Sequence, residues 1–147
     1  MAGALRLARQ GAEAGEVPVG ALIVGPGGDI LAEAHNAPIA LNDPTAHAEI
    51  LALRAAGKAA GNCRLAGCVL VVTLEPCPMC AAALVQARIA GLVFGAADET
   101  AGAVISRAEY LDFPSNHKVW HMGGLLAREC SALLRGFFAQ KRMSSSG

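Results

Sequence analysis

No unbroken apolar run in this 147-residue chain reaches the roughly 20 residues that a bilayer demands. Glu75, Arg88 or Asp98 interrupts each of the long ones, so a membrane span is excluded in spite of a mean hydropathy of +0.42. Residues 1–10 hold Arg6 and Arg9 and no secretory apolar block, which sets the expectation of a cytoplasmic protein. Charged residues are scarce at 16% against 54% hydrophobic, the reverse of the balance that keeps a chain disordered. Repeats and interdomain linkers are lacking too, so residues 1–147 are expected to form one domain, with 143–147 as a disordered tail. Net charge is absent: twelve basic side chains balance twelve acidic ones, which gives little general attraction for a polyanion. The balance is uneven along the chain, with six basic against nine acidic residues in 1–106 and six against three in 107–147. The C-terminal part is the basic end. Five cysteines, an odd number, argue against a disulfide framework and for free thiols or metal ligands.

Periodicity and turn residues predict the elements. Residues 4–14 suit a short helix with Leu5, Ala8 and Ala12 on one side, closed by Gly15. Residues 19–24 and 29–34 read as strands joined by Gly25-Pro26-Gly27-Gly28, hence a hairpin. Asp43-Pro44-Thr45 reads as a helix start, with Asp43 placed to cap and Pro44 preset for the first helical position. That helix is predicted to reach about residue 60, with Ile50, Leu51 and Leu53 inward. The apolar, β-branched run at 68–73 marks a strand covered on both faces, and 92–94 a shorter one. A helix from about 77 to 90 separates them, and this alternation is what parallel α/β packing requires. A last strand is predicted at 117–121 and a final helix at 125–141, with Leu126, Cys130, Leu133, Leu134 and Phe137 as its apolar stripe.

The chemistry is concentrated in His47-Ala48-Glu49 and in Pro76-Cys77-Pro78-Met79-Cys80, which begins its cysteines thirty positions after the histidine. Cys77 and Cys80, three apart at a helix start, present their sulfurs on one face, and the positive helix end favours thiolates. His47 adds a nitrogen from the start of another helix, completing one imidazole and two thiolates, a zinc set of three protein ligands. A closed structural site takes four; a catalytic one leaves the fourth position to water. Glu49 is then the carboxylate that would take the proton of that water and deliver it to ring nitrogen and leaving amine. Residues two apart on a helix do not face each other. A metal lying beyond the helix N-terminus, toward which side chains lean, removes the difficulty. Two plainer readings compete. Cys-x-x-Cys alone is also a redox pair, although that motif does not call for an upstream His-x-Glu. A structural zinc would take a fourth ligand from Cys63, Cys68, His35 or His117. Cys63, Cys68 and Cys130 are otherwise read as buried small hydrophobes.

His-x-Glu followed by Pro-Cys-x-x-Cys resembles the signature of the zinc nucleobase deaminases. The resemblance is closest to the bacterial tRNA adenosine deaminases and spans about residues 4–142. It is carried by Glu16-Val17-Pro18-Val19-Gly20, Asn36-Ala37-Pro38-Ile39, Asp43-Pro44-Thr45-Ala46-His47-Ala48-Glu49, Thr73-Leu74-Glu75-Pro76-Cys77, Arg88-Ile89, Val93-Phe94-Gly95-Ala96 and Asn116-His117-Lys118-Val119. It implies a three-layer α/β/α sandwich around a five-stranded mixed sheet, acting as a homodimer with one zinc per subunit. The implied reaction converts the wobble adenosine of a tRNA anticodon to inosine with release of ammonia. By matching position, His47, Cys77 and Cys80 would hold Zn2+, Glu49 would shuttle protons, and the backbone amides around Ala48 and Cys77 would lie near the reacting centre. Asn36 would hydrogen-bond the base, or else be an ordinary turn asparagine at a strand end.

An adenine in folded RNA must leave its stack to be reached, so aromatic walls and cations are expected around the site. Phe137-Phe138 and Lys141-Arg142 resemble the family's closing aromatic pair and basic tail, with Arg135 one to two turns earlier. Phe137 falls on the apolar stripe, which leaves Arg135, Phe138, Lys141 and Arg142 as the RNA candidates against a plain solvated helix end. Residues 98–106 depart from the branch, which usually has a lysine near Thr100 and a glycine where Ile105 stands. The alternative is therefore a small-molecule deaminase on the same scaffold, taking guanine, cytosine, adenosine or another free nucleobase or nucleoside. A third reading, a non-catalytic zinc subunit that binds RNA, has no use for Glu49.

Overall fold

The computed structural model describes residues 1–145. Five strands, β1 (Gly20–Val24), β2 (Ile30–His35), β3 (Val69–Leu74), β4 (Gly91–Ala96) and β5 (Trp120–Met122), lie in the order β2-β1-β3-β4-β5. β1 runs antiparallel to β2 and β3, whereas β3, β4 and β5 are mutually parallel, so the sheet is mixed. The hairpin closes as its glycines imply: Gly25 N–H donates to Asp29 O at 2.7 Å, and Gly28 takes φ 91°, a left-handed conformation that costs glycine nothing. β4 is buried along its whole length, the mark of a central parallel strand.

Five helices cover the sheet: α1 (Ala2–Glu13), α2 (Pro38–Leu41), α3 (Ala48–Ala60), α4 (Pro78–Gln86) and α5 (Ala127–Ser145). Alternation along β1 sorts them into layers. Ala21 and Ile23 face a core shared with Ala48, Ala52 and Ala56 of α3 and with Ala81, Leu84 and Val85 of α4. Leu22 and Val24 point the other way, onto Ala4 and Leu7 of α1. Leu5 of α1, Cys130 of α5 and Ala96 of β4 complete that second side. The result is the α/β/α sandwich that the resemblance implied. Glycine permits the closest approaches: a Cβ on Gly20 would overlap Ala4 O of α1, and one on Gly95 would overlap Cys130 Sγ of α5.

Several boundaries differ from expectation. The helix expected from Asp43 begins only at Ala48. Asp43 Oδ1 caps Thr45 instead, taking its N–H at 2.9 Å and its hydroxyl at 2.7 Å, while Ala46 O accepts from Ala37 N–H at 3.0 Å and holds the chain extended into His47. α4 stops at Gln86 because Arg88 takes φ 58°, and α5 starts late because Leu126 takes φ 53°. The 38–41 turn and a 3₁₀ turn at Tyr110–Asp112 had no sequence signal strong enough to predict. The tail expected at 143–147 is helical through Ser145; Ser146 and Gly147 lie outside the described residues. Among the described residues no helix is long and apolar enough to cross a membrane.

Candidate active site

The site is assembled where β3 ends and where α3 and α4 begin. His47 is the N-cap of α3 with ψ 152°, and Cys77 is the N-cap of α4 with ψ 173°, so both leave the helix from extended backbone and overhang its first turn. Pro78 at the first turn of α4 has no N–H to lose there and presets the helical φ. Cys80 follows one turn later and is fully buried. His47 Nδ1 lies 3.6 Å from Cys77 Sγ and 3.5 Å from Cys80 Sγ, and the three ligand atoms all fall within 4.8 Å of one another. Tetrahedral zinc with Zn–S of about 2.3 Å and Zn–N of about 2.05 Å separates nitrogen from sulfur by about 3.6 Å. The triangle has the dimensions of that ion and a donor set suited to it.

Electrostatics favour the thiolate. The hydrogen bond from Cys80, joined by His47, pulls the Cys77 thiol down to about 4. Cys80 moves the opposite way, held above the usual thiol range by that same bond and by burial. His47 is raised by its hydrogen bond with Cys77. Glu49 is 4% exposed, and burial pushes its carboxyl up to about 7 against the opposing pull of its own backbone N–H and of His47. The structure thus brings together all four of the residues expected to carry chemistry, with the Glu49 carboxyl near enough to His47 and Cys77 to feel their charges.

Asn36 and Ala48 meet each other. Asn36 Oδ1 accepts the Ala48 N–H at 2.8 Å, so the amide expected near the reacting centre is spent on fixing Asn36. That bond defines the orientation of the amide and leaves its NH2 end as the donor. The competing structural-zinc reading finds no fourth ligand among the described residues. His35 and His117 bond to the carbonyls of Asn36 and Ile89 at 2.8 and 2.7 Å. Cys68 and Cys130 are buried elsewhere, whereas Cys63 is exposed rather than buried as expected.

The RNA candidates divide. Phe138 and Lys141 line a cleft of about 370 Å³ together with Asn36, Pro38, Ile39 and Phe137. Lys141 Nζ stands 5.5 Å over the Phe137 ring. Arg135 and Arg142 are exposed on α5 and do not line it. Sequence reasoning passed over two buried carboxylates. Glu16 accepts the Ile39 and Ala40 N–H groups at 3.2 and 2.9 Å and so anchors the turn beside Asn36. Glu75 accepts from the segment that follows β4; burial alone would raise it, but the Ser106 hydroxyl and the N–H groups of Ile105, Ser106 and Asp98 hold it below the usual carboxylate range. Both lie in segments that carry the family resemblance, and polarity inside otherwise apolar surroundings was the local signal of their burial.

An imidazole and two thiols sized for zinc, with a buried carboxylate beside them at the end of a mixed sheet, define the class of zinc-dependent hydrolytic deaminases. Residues 1–96 match the family model of the cytidine and deoxycytidylate deaminase zinc-binding region, and the chain belongs to that family, whose cofactor is zinc. Within it, the chain is 47% identical over 140 residues to a tRNA-specific adenosine deaminase of Haemophilus influenzae, covering 95% of this chain and 81% of that one. Among solved structures, a tRNA:A34 deaminase studied for A-to-I editing at the wobble position superposes with TM-score 0.86 at 45% identity, over 89% of this chain and 95% of that one. A guanine deaminase from Nitrosomonas europaea gives TM-score 0.76 at 28% identity, over 92% and 81%.

Proposed function

We propose that this enzyme hydrolyses the exocyclic amine of adenosine at the wobble position of a tRNA anticodon, giving inosine and ammonia. The observation that carries the chemistry is the triangle of His47 Nδ1, Cys77 Sγ and Cys80 Sγ beside the buried Glu49. These three residues would hold zinc, whose contribution is to lower the pKa of water so that it attacks at neutral pH. Glu49 takes the proton of the attacking water and gives it to N1 of the purine. As the C6–N6 bond breaks, the remaining proton of that water, now on the C6 hydroxyl, passes through the same carboxyl to the amine, which leaves as ammonia; the new C6–O bond becomes the carbonyl of inosine. Asn36, locked by Ala48, presents its NH2 as a donor to the base. A free N–H at Ala48 is not required in this scheme.

The tRNA substrate is supported by the relatives, which share more sequence and superpose better than the guanine deaminase. It is supported locally by the cleft in which Asn36 adjoins Phe138 and Lys141, a space of about 370 Å³, roomy enough for a base, walled by an aromatic ring and a cation. From such a substrate we infer a cytoplasmic enzyme. We further infer a homodimer. Of the small residues on the zinc helix, Ala81 and Val85 are consumed by the core, but Ala82 and Ala83 are half-exposed, and Ala83 lines a groove of about 770 Å³ together with Ile50, Leu53 and Ala87. A second copy seated there would cover them.

The deciding test offers zinc-loaded protein an adenine-containing anticodon stem-loop beside a panel of free bases and nucleosides, reading ammonia and inosine. Turnover of the stem-loop with none of the free compounds is expected. Turnover confined to a free base would transfer the assignment to the small-molecule reading and make Thr100 and Ile105 its marks.

A further inference from the structure

Glu75 is 2% exposed and takes no part in the ligand triangle, yet its carboxylate accepts five hydrogen bonds from a single segment. Oε1 receives the Asp98 N–H at 3.0 Å and the Ser106 hydroxyl. Oε2 receives the N–H groups of Val104, Ile105 and Ser106 at 3.0, 2.9 and 3.0 Å. The join continues on either side: Ala103 N–H donates to Pro76 O at 2.8 Å, and Glu75 N–H donates to Ala96 O at 2.8 Å. Gly102 is required at the centre of the wrap, because a Cβ there would overlap the Glu75 carboxyl. Burying a carboxylate is expensive unless its lone pairs are filled, and here they are filled from both ends of residues 98–106.

The placement gives this arrangement its consequence. β3 and β4 are neighbouring parallel strands, and loops leaving the carboxyl ends of such strands wall the crevice in which α/β proteins bind ligands. One of these loops carries Cys77, two residues after Glu75; the other is 98–106. Glu75 belongs to the first and holds the second by five bonds. We propose that Glu75 is a positioning residue of the deaminase site, fixing the 98–106 wall in register with the zinc helix so that substrate meets a preset rim. The inference rests on the deaminase reading for its kinetic part only. A residue acting this way governs substrate capture more than the chemical step.

Glu75→Gln makes the test specific. An amide has one accepting oxygen, so it satisfies the 104–106 donors only by turning its NH2 toward the Asp98 N–H, and the Asp98 end of the segment comes loose. Hydrogen exchange is read first, because it needs no substrate. Exchange of the 98–106 amides is expected to quicken at least tenfold in the variant, with α3 changing less than threefold; unaltered exchange at 98–106 overturns the proposal. With the stem-loop as substrate, KM is expected to rise at least fivefold while kcat stays within threefold and zinc remains at one per chain. A variant that loses kcat and zinc together at unchanged KM would make Glu75 a support of Cys77 alone and also overturns it. Should Glu75→Gln fail to fold, Ser106→Ala removes one of the five bonds, and the same pattern at reduced size is expected; unchanged exchange there counts against the proposal. Wild-type turnover, measured alongside, tests the deaminase reading separately.

Discussion

Glu49 shows how much a single position is asked to do. It stands two residues after His47, the proposed nitrogen ligand, in the first turn of α3, and burial has stripped it of water. Because the attacking water and the leaving amine each need a proton moved, and Glu49 is the buried carboxyl that feels the charges of His47 and Cys77, Glu49→Gln is expected to keep zinc and fold while turnover falls about 10²- to 10⁴-fold. Metal analysis and ammonia release on the same sample check it, and an equally active variant would remove Glu49 from the mechanism. Residues of this kind were legible in the sequence, because only a few side chains ligate zinc or carry protons and their spacing was intact. Ala48 was legible in place but not in role: a backbone N–H has no residue type to announce it, and its partner Asn36 is twelve positions away. Glu75 and Glu16 stood in segments that carry the resemblance, but their roles escaped, since their partners are backbone amides that become neighbours only in the folded chain.

Among the elements, those with one dominant local cause were the easiest to read. The hairpin followed from its glycines, and the buried strand β3 from its β-branched run. The start of α3 was misplaced because Asp43-Pro44 satisfies a capping pattern locally, while a non-local bond, Ala37 N–H to Ala46 O, decides where the helix can begin. Gly20 gives a test of such non-local packing. A Cβ there would overlap Ala4 O and approach Ala8 N to 2.6 Å and Leu7 Cβ to 2.9 Å, backbone and near-backbone atoms that cannot swing aside. Gly20→Ala is therefore expected to lift α1 from β1 and to cost about 1–3 kcal/mol or more in denaturant unfolding. The short α2 offers the polar counterpart: Glu16→Ala strands two N–H groups and should cost about 1–3 kcal/mol. A loss below about 0.5 kcal/mol in either variant would show that the backbone relaxes around the change.

Across the whole molecule the charges cancel, so attraction for RNA must come from how they are distributed. α5 gathers Arg128, Arg135, Lys141 and Arg142, with Glu129 as its acidic member, and its C-terminal half runs past the Asn36 cleft. A splayed anticodon loop laid along this helix would release counterions in proportion to the phosphates it meets, by about 0.7 in log–log slope per contact for single strands. Replacing Lys141 and Arg142 together by Ala should therefore weaken stem-loop binding and flatten its salt dependence by about 1.4, two contacts' worth. Phe138→Ala is the contrast: it should weaken binding by about 1–3 kcal/mol through lost stacking and leave the slope alone. Dissociation constants measured from low to physiological salt separate the two. Equal slopes for the Lys141/Arg142 variant and the parent would mean that the phosphates run elsewhere, either along Arg128 and Arg135 of the same helix or across a surface completed by a second copy. That possibility has its own reading in solution mass, since one copy weighs 14.9 kDa and a pair twice that.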